Sequence, residues 1–222
     1  MQFIALKDIN ISFHQHEFTA VVGRSGSGKS TLMNMITGID KPTAGRVIVD
    51  GLEVHNLSET EMAKWRGENL GIVFQFYQLI PVLSLVENVM LPMQIADKFS
   101  HADRLDRAHG LLRQVGMQKF ADQRPYNVSG GQQQSTAIAR ALANDPPIII
   151  ADEPTGNLSS SEAEKIFSIF QALSDSGKTI IIVTHDEDQA KKAKMVLKLV
   201  DGRLMTENGT PYKTSVSMEQ QR

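Results

Sequence analysis

Residues 23–31 read Gly-Arg-Ser-Gly-Ser-Gly-Lys-Ser-Thr, set between the apolar run Ala20-Val21-Val22 and a stretch, residues 30–36, that can continue as a helix. No other segment limits the fold as strongly. The glycines at 23, 26 and 28 let successive backbone N–H groups curl around an anion, and they do so only where a strand enters the loop and a helix leaves it. The positive end of that helix then faces the anion. Gly38 is the expected stop. The pattern therefore demands a strand–loop–helix unit and an α/β fold. It makes Gly23, Arg24, Ser25, Gly26, Ser27, Gly28, Lys29, Ser30 and Thr31 candidate ligands of a nucleoside triphosphate, with Lys29 as the mobile cation and the Ser30 hydroxyl as a magnesium ligand.

The 222 residues, 41% of them hydrophobic, suit one large domain, or a core with a substantial insertion, and bury a real interior. A formal net charge of −2 lacks the electrostatic footprint of a nucleic-acid binder, so no nucleic-acid partner is expected. Cysteine is absent, which removes disulfides and thiolate metal sites and fits a reducing compartment. The longest apolar runs, near residues 148–151 and 180–183, fall far short of the roughly 18 residues that span a bilayer. No leader is read at the start, so membrane association is expected only through a partner.

Alternation at Ile9, Ile11 and Phe13 predicts an opening strand at a sheet edge. Val47 and Val49 before Asp50-Gly51 predict a hairpin. After Gln75 the character changes: Ser84 and Glu87 stand at capping-box spacing, and Ser100 precedes Leu105, Ala108, Leu112 and Val115 on one helical face, ended by Gly116. The middle third therefore reads as an inserted helical segment. Residues 147–151 and 179–184 read as buried parallel strands separated by a helix carrying Ile166, Ile169, Phe170 and Leu173. A closing hairpin is expected around Asp201-Gly202, and a loose polar tail from Thr206.

The run Ile148-Ile149-Ile150-Ala151-Asp152-Glu153 delivers two carboxylates to the end of a strand, where open α/β sheets hold their ligands. Asp152 is assigned to a magnesium shell, and Glu153 to orienting or deprotonating an attacking water. Ser129 and Gln132, at capping-box spacing around Gly130 and Gly131, open another helix and a second anion receptor. One triphosphate rarely needs two such receptors, so Ser129, Gly130, Gly131 and Gln132 are expected to address nucleotide held by a second copy, in a head-to-tail dimer. His185, at the end of the last buried strand, is placed within reach of the γ-phosphate. Gln75, at the boundary of the helical segment, is assigned to magnesium or its water and to signalling nucleotide state.

In this order the pieces resemble the ATP-binding subunit of ABC transporters, from about Leu6 to Met205. The resemblance rests on the loop at 23–31, Phe74-Gln75, the signature at 128–132, residues 148–153 with Pro154-Thr155-Gly156-Asn157-Leu158, and Thr184-His185-Asp186. Residues 71–75, Leu79-Ile80-Pro81 and Glu87-Asn88-Val89 look most like the branch serving lipoprotein release and macrolide or peptide export. The resemblance implies a P-loop NTPase core (residues 1–75 and 143–205) with an antiparallel β edge, an inserted α-helical subdomain (76–142) carrying the signature, and a polar tail (206–222). It implies ATP and Mg²⁺ as cofactors, a two-ATP sandwich homodimer, and hydrolysis driven by Glu153 and His185. Integral membrane subunits would dock on the helical subdomain, with Leu79, Ile80, Val82 and Leu83 as part of their socket. The chain would then work in the cytoplasm, peripheral at the inner face of the cell membrane.

The sequence departs from the family in four places. The aromatic that stacks on adenine lies upstream of the first strand here, and Phe3 is only a weak stand-in. Ser159 replaces an Asp, Ser135 an Arg, and His16 a Gly. These changes imply an intact ATP site with slower coupling. Three readings stay open: an export ATPase, a mechanical transmitter that moves an extracytoplasmic domain without cargo, and a degenerate nucleotide-binding switch. A chromosome-associated ATPase of similar core would carry a long coiled-coil insertion, which is absent.

Overall fold

The computed structural model describes residues 4–206. Phe3, the weak stand-in for the adenine-stacking aromatic, and most of the expected polar tail lie outside them. Six strands form one sheet in the order β4 (Leu70–Val73), β5 (Ile148–Asp152), β6 (Thr179–Thr184), β1 (Phe18–Val22), β7 (Met195–Val200), β8 (Arg203–Met205). The first five are mutually parallel, and β8 closes antiparallel on β7 around Asp201-Gly202. The central strands β1 and β6 are buried at every position, as their Ile, Val and Ala content requires when helices cover both faces. A separate two-stranded antiparallel sheet, β2 (Ile48–Val49) and β3 (Leu52–Glu53), forms the predicted hairpin.

Helix α1 (Lys29–Thr37) follows the glycine loop and stops at Gly38, whose φ of 66° is the left-handed C-cap read from the sequence. Helix α2 (Glu59–Asn69) was not anticipated; Ser58 and Glu61 form a full capping box at its start, the signal that reveals it. Helices α3 (Leu85–Ile95), α4 (His101–Gln114) and α5 (Gly130–Ala141) make up the inserted layer. Helix α6 (Ser160–Asp175) backs the sheet, and the short α7 (Glu187–Ala190) precedes β7. One hydrophobic core joins the insert to the sheet: Leu85, Val89 and Met93 of α3, Leu112 of α4 and Ile138 of α5 pack with Ile149, Ile180, Phe167 and Phe170.

The expected opening strand does not form. Residues 9–13 adopt no ladder, although Leu6, Ile9, Ile11 and Phe13 lie against the core beneath Leu197 and Leu199. Alternation reports which side chains turn inward; it does not report whether the backbone finds a neighbouring strand. At the end of this segment His16 holds φ at 61°, a conformation natural to the glycine it replaces. Its N–H donates to the Thr179 hydroxyl at 3.0 Å and its ring Nδ1 meets the Gly177 carbonyl at 2.5 Å, which hold the residue in place.

Candidate active site

Four parallel strands end at one edge of the sheet, and each delivers part of the site. From β1 the chain enters the glycine loop, whose Gly28 has φ 102° and serves as N-cap of α1 without any side-chain cap. A Cβ at Gly28 would stand 2.7 Å from the Ala5 carbonyl, so the position excludes other residues on space as well as on backbone angle. No side chain caps the first turn of α1, which leaves its N–H groups available to an anion. The Lys29 side chain is 8% exposed and folds back over the loop, donating to the carbonyls of Gly23 at 2.8 Å and Arg24 at 3.2 Å.

From β5 come the carboxylates. Asp152 Oδ2 accepts from the Ser30 hydroxyl at 3.1 Å, while its Oδ1 is buried and has no partner within the protein. Burial pushes the Asp152 carboxyl upward, an effect opposed by the Ser30 hydrogen bond. A hydroxyl and a buried carboxylate oxygen lacking a donor are the hard oxygen ligands that a Mg²⁺ ion accepts, so the residues present fit that ion.

Glu153 sits one residue beyond, at φ 46°, which aims its carboxylate across the crevice. Its Oε1 lies 3.5 Å from Lys29 Nζ. Its Oε2 accepts from the backbone N–H of His185 at 3.2 Å, the Thr184 hydroxyl at 3.3 Å and His185 Nδ1 at 2.7 Å. An ionised carboxylate only accepts, so Nδ1 carries the proton, and Nε2 can donate to a phosphate oxygen only when the ring holds both protons. The structure thus brings Lys29, Ser30, Asp152, Glu153 and His185 together.

Gln75, from the end of β4, is placed elsewhere: its amide Nε2 is 3.1 Å from where a Cβ on Gly156 would stand. It touches the loop after the carboxylates instead of hydrogen-bonding Ser30 or Asp152. The signature forms the predicted capping box, Ser129 Oγ accepting from Gln132 N–H and Gln132 Oε1 from Ser129 N–H. Ser159 caps α6 with Glu162 in the same way. Ser135 is buried with its hydroxyl on the Gly131 carbonyl.

Several contributors escaped sequence reading. Gln134, fully buried on α5, donates to the Pro154 carbonyl at 2.8 Å and ties the signature helix to the loop after Glu153. Arg140, on the same helix, donates to the carbonyls of Tyr77 and Gln78, two residues at positive φ just past Gln75. Glu162 reaches beyond its own helix to the Ser129 hydroxyl at 3.1 Å. The pairing of Glu162 with Ser159 is legible in the sequence from its capping spacing, but its reach to Ser129 is not, and the others act across 20 residues or more. Of the expected socket, Leu79 packs into the core, whereas Ile80 is 39% and Val82 73% exposed. No described helix is long and apolar enough to cross a membrane.

Residues 6–156 match the family model described as ABC transporter. The chain belongs to the ABC transporter family. It is an ABC-type ATPase, and its relatives agree on that class. It is 44% identical over 200 residues to the lipoprotein-releasing system ATP-binding protein LolD of Francisella tularensis, covering 90% of this chain and 87% of the relative. It is 43% identical over 207 residues to the macrolide export ATP-binding/permease protein MacB of Rhodospirillum rubrum, covering 93% of this chain but 32% of that protein. The dimeric post-hydrolysis structure of the ATP-binding cassette MJ0796 bound to ADP and Pi superposes with a TM-score of 0.82 at 43% identity, covering 89% and 87% of the two chains.

Proposed function

We propose that this ABC ATPase closes as a homodimer around two ATP molecules and transmits that closure to integral membrane subunits of a lipoprotein, macrolide or peptide export complex. The observation that carries the reading is the convergence of Lys29, Ser30, Asp152, Glu153 and His185 at the ends of β1, β5 and β6, beside an uncapped helix N-terminus. Residues 23–31 cradle the triphosphate. Ser30 and Asp152 would hold Mg²⁺, which when bound neutralises phosphate charge, with Gln75 able to join them through a shift of its loop. Glu153 takes a proton from water as the water oxygen attacks the γ-phosphorus; the bond to the β,γ-bridging oxygen breaks, releasing ADP and phosphate. His185 holds Glu153 in line and, doubly protonated, offers Nε2–H to the γ-phosphate.

The signature residues Ser129, Gly130, Gly131 and Gln132 would meet the γ-phosphate held by the second copy, because their helix N-terminus belongs to no nucleotide loop of its own chain. Residues 76–142 form the helical subdomain. Its face toward the membrane subunits is a groove of about 600 Å³ lined by Val82, Val86, Met90, Leu105, Asp122 and Arg124, which suits a short amphipathic cytoplasmic helix. On this reading the chain works at the inner face of the membrane through its partner.

Calorimetric titration with Mg-ATP tests the reading. Lys29→Ala is expected to weaken binding by about tenfold or more, since a charge-assisted hydrogen bond to phosphate is lost. Equal affinity in the parent and this variant would overturn the assignment of the loop.

A further inference from the structure

The signature helix N-terminus already holds an anion, and that anion belongs to the same chain. Glu162 Oε1 accepts from the Ser129 hydroxyl at 3.1 Å and from the Gly131 N–H at 3.3 Å. Its Oε2 accepts from the Ser159 hydroxyl at 2.8 Å and the Ser159 N–H at 3.2 Å. One carboxylate therefore caps two helices at once, α6 in its own chain segment and α5 across 33 residues. The carboxylate lies directly over the signature backbone: a Cβ on Gly131 would stand 2.7 Å from Glu162 Oε1 and 2.9 Å from its Cγ.

We propose that Glu162 is a resident occupant of the seat that the signature offers to the γ-phosphate, and that it must leave before two copies can close on ATP. The proposal rests on the sandwich reading above. Hydroxyl and first-turn N–H are the donors a phosphate oxygen would need, and a carboxylate and a phosphate cannot share them, because both are anions and each requires the donor protons. The occupant is removable: three of its four hydrogen bonds are exposed, so solvent can replace them, and the pair with Ser159 can hold the side chain once it leaves Ser129 and Gly131.

A further observation fits. The Tyr77 hydroxyl, from the segment after Gln75, borders the same seat, for a Cβ on Gly130 would stand 2.6 Å from it. Burial raises the Tyr77 phenol and the Glu162 charge adds to that rise. Departure of Glu162 is therefore felt by the segment that leads to the membrane-facing groove.

Sedimentation velocity, with Mg-ATP titrated into protein carrying Glu153→Gln so that nucleotide persists, measures the ATP concentration that half-dimerises the chain. Glu162→Gln, which keeps the shape but has a single accepting oxygen, enough for the α6 cap and not for both helices, and Glu162→Asp, which keeps the α6 cap but withdraws from Ser129 by one methylene, are both expected to lower it. The change should be about threefold or more, as expected when a closed state no longer has to be opened first. Nucleotide affinity of the monomer, read by fluorescence at dilute protein, should stay the same, since Glu162 makes no hydrogen bond or ion pair with residues 23–31. Unchanged or raised half-dimerising concentrations in both variants, at unaltered melting temperature, would overturn the proposal while leaving the sandwich intact. Absence of ATP-dependent association in every version, the Glu153→Gln parent included, would overturn both.

Discussion

Glu153 Oε1 stands 3.5 Å from Lys29 Nζ while its other oxygen takes the Nδ1 proton of His185 at 2.7 Å, so one carboxylate links the phosphate loop of β1 to the end of β6. That bridge makes the two roles separable by mutation. Glu153→Gln removes the base and keeps the shape; turnover, followed as phosphate release, is expected to fall by about 10² to 10⁴. ATP affinity should hold or rise, because the amide no longer competes for Lys29. A variant that turns over at the parental rate would exclude Glu153 as the base.

His185→Ala probes the other half of the bridge. Thr184 and the backbone N–H at 185 still reach Glu153 Oε2, so the carboxylate stays anchored. The rate constant at saturating ATP is expected to drop by about tenfold or more, the lower range for a lost proton-transfer or charge-stabilising partner, with little change in KM. A pure KM effect would assign His185 to binding alone.

Asn88 holds the loop at residues 80–84. It is fully buried on α3, its Oδ1 accepting from Ile80 N–H at 2.7 Å and its Nδ2 donating to the carbonyls of Ile80, Leu83 and Ser84. Asn88→Leu keeps the branched heavy-atom outline but strands those groups and adds bulk in a buried site. A loss of about 1–3 kcal/mol is expected in urea unfolding, with residues 80–84 becoming accessible to protease first.

Gly71 on β4 is a contact point between sheet and signature helix. A Cβ there would lie 2.5 Å from the Ala141 carbonyl and 2.6 Å from Ile149 Cδ1. Gly71→Ala should cost about 1–3 kcal/mol by overpacking. Adding Ile149→Val removes one of the two clashes but not the backbone one, so calorimetric melting should show partial recovery and no more.

Acid should loosen the helix starts. The Ser58 hydroxyl holds the Glu61 carboxyl below its ordinary 4.5, the Ser84 N–H does the same for Glu87, and the Ser159 hydroxyl for Glu162. Each folded pKa lies under the unfolded one, so the stability each contributes is complete above about 4.5 and is lost as pH falls through the lowered value. Asp152, raised by burial, works in the opposite sense. A variant with Gln at 61, 87 and 162 should show a flatter decline of unfolding free energy below that pH than the parent; parallel curves would remove the caps from the acid response.

The parts that sequence alone determined are those in which neighbouring residues make the decision. The glycine loop at 23–31, the stop at Gly38, the Ser–Glu boxes at 84 and 159 and the carboxylates after β5 all follow from backbone angles, hydrogen bonds and apolar runs within a few residues of one another. The opening segment shows where that logic ends: Ile9, Ile11 and Phe13 turn inward as their alternation says, yet a strand exists only if a distant backbone pairs with it. Tertiary structure alone decided that Glu153 would reach Lys29, that Gln75 would lie against Gly156, that Gln134 and Arg140 would bind the loops around the site, and that Glu162 would cover its own signature. The physical reason is reach: a side chain of a few ångströms meets whatever the sheet order sets beside it, and that order is settled by burial of the whole core, which no local pattern records.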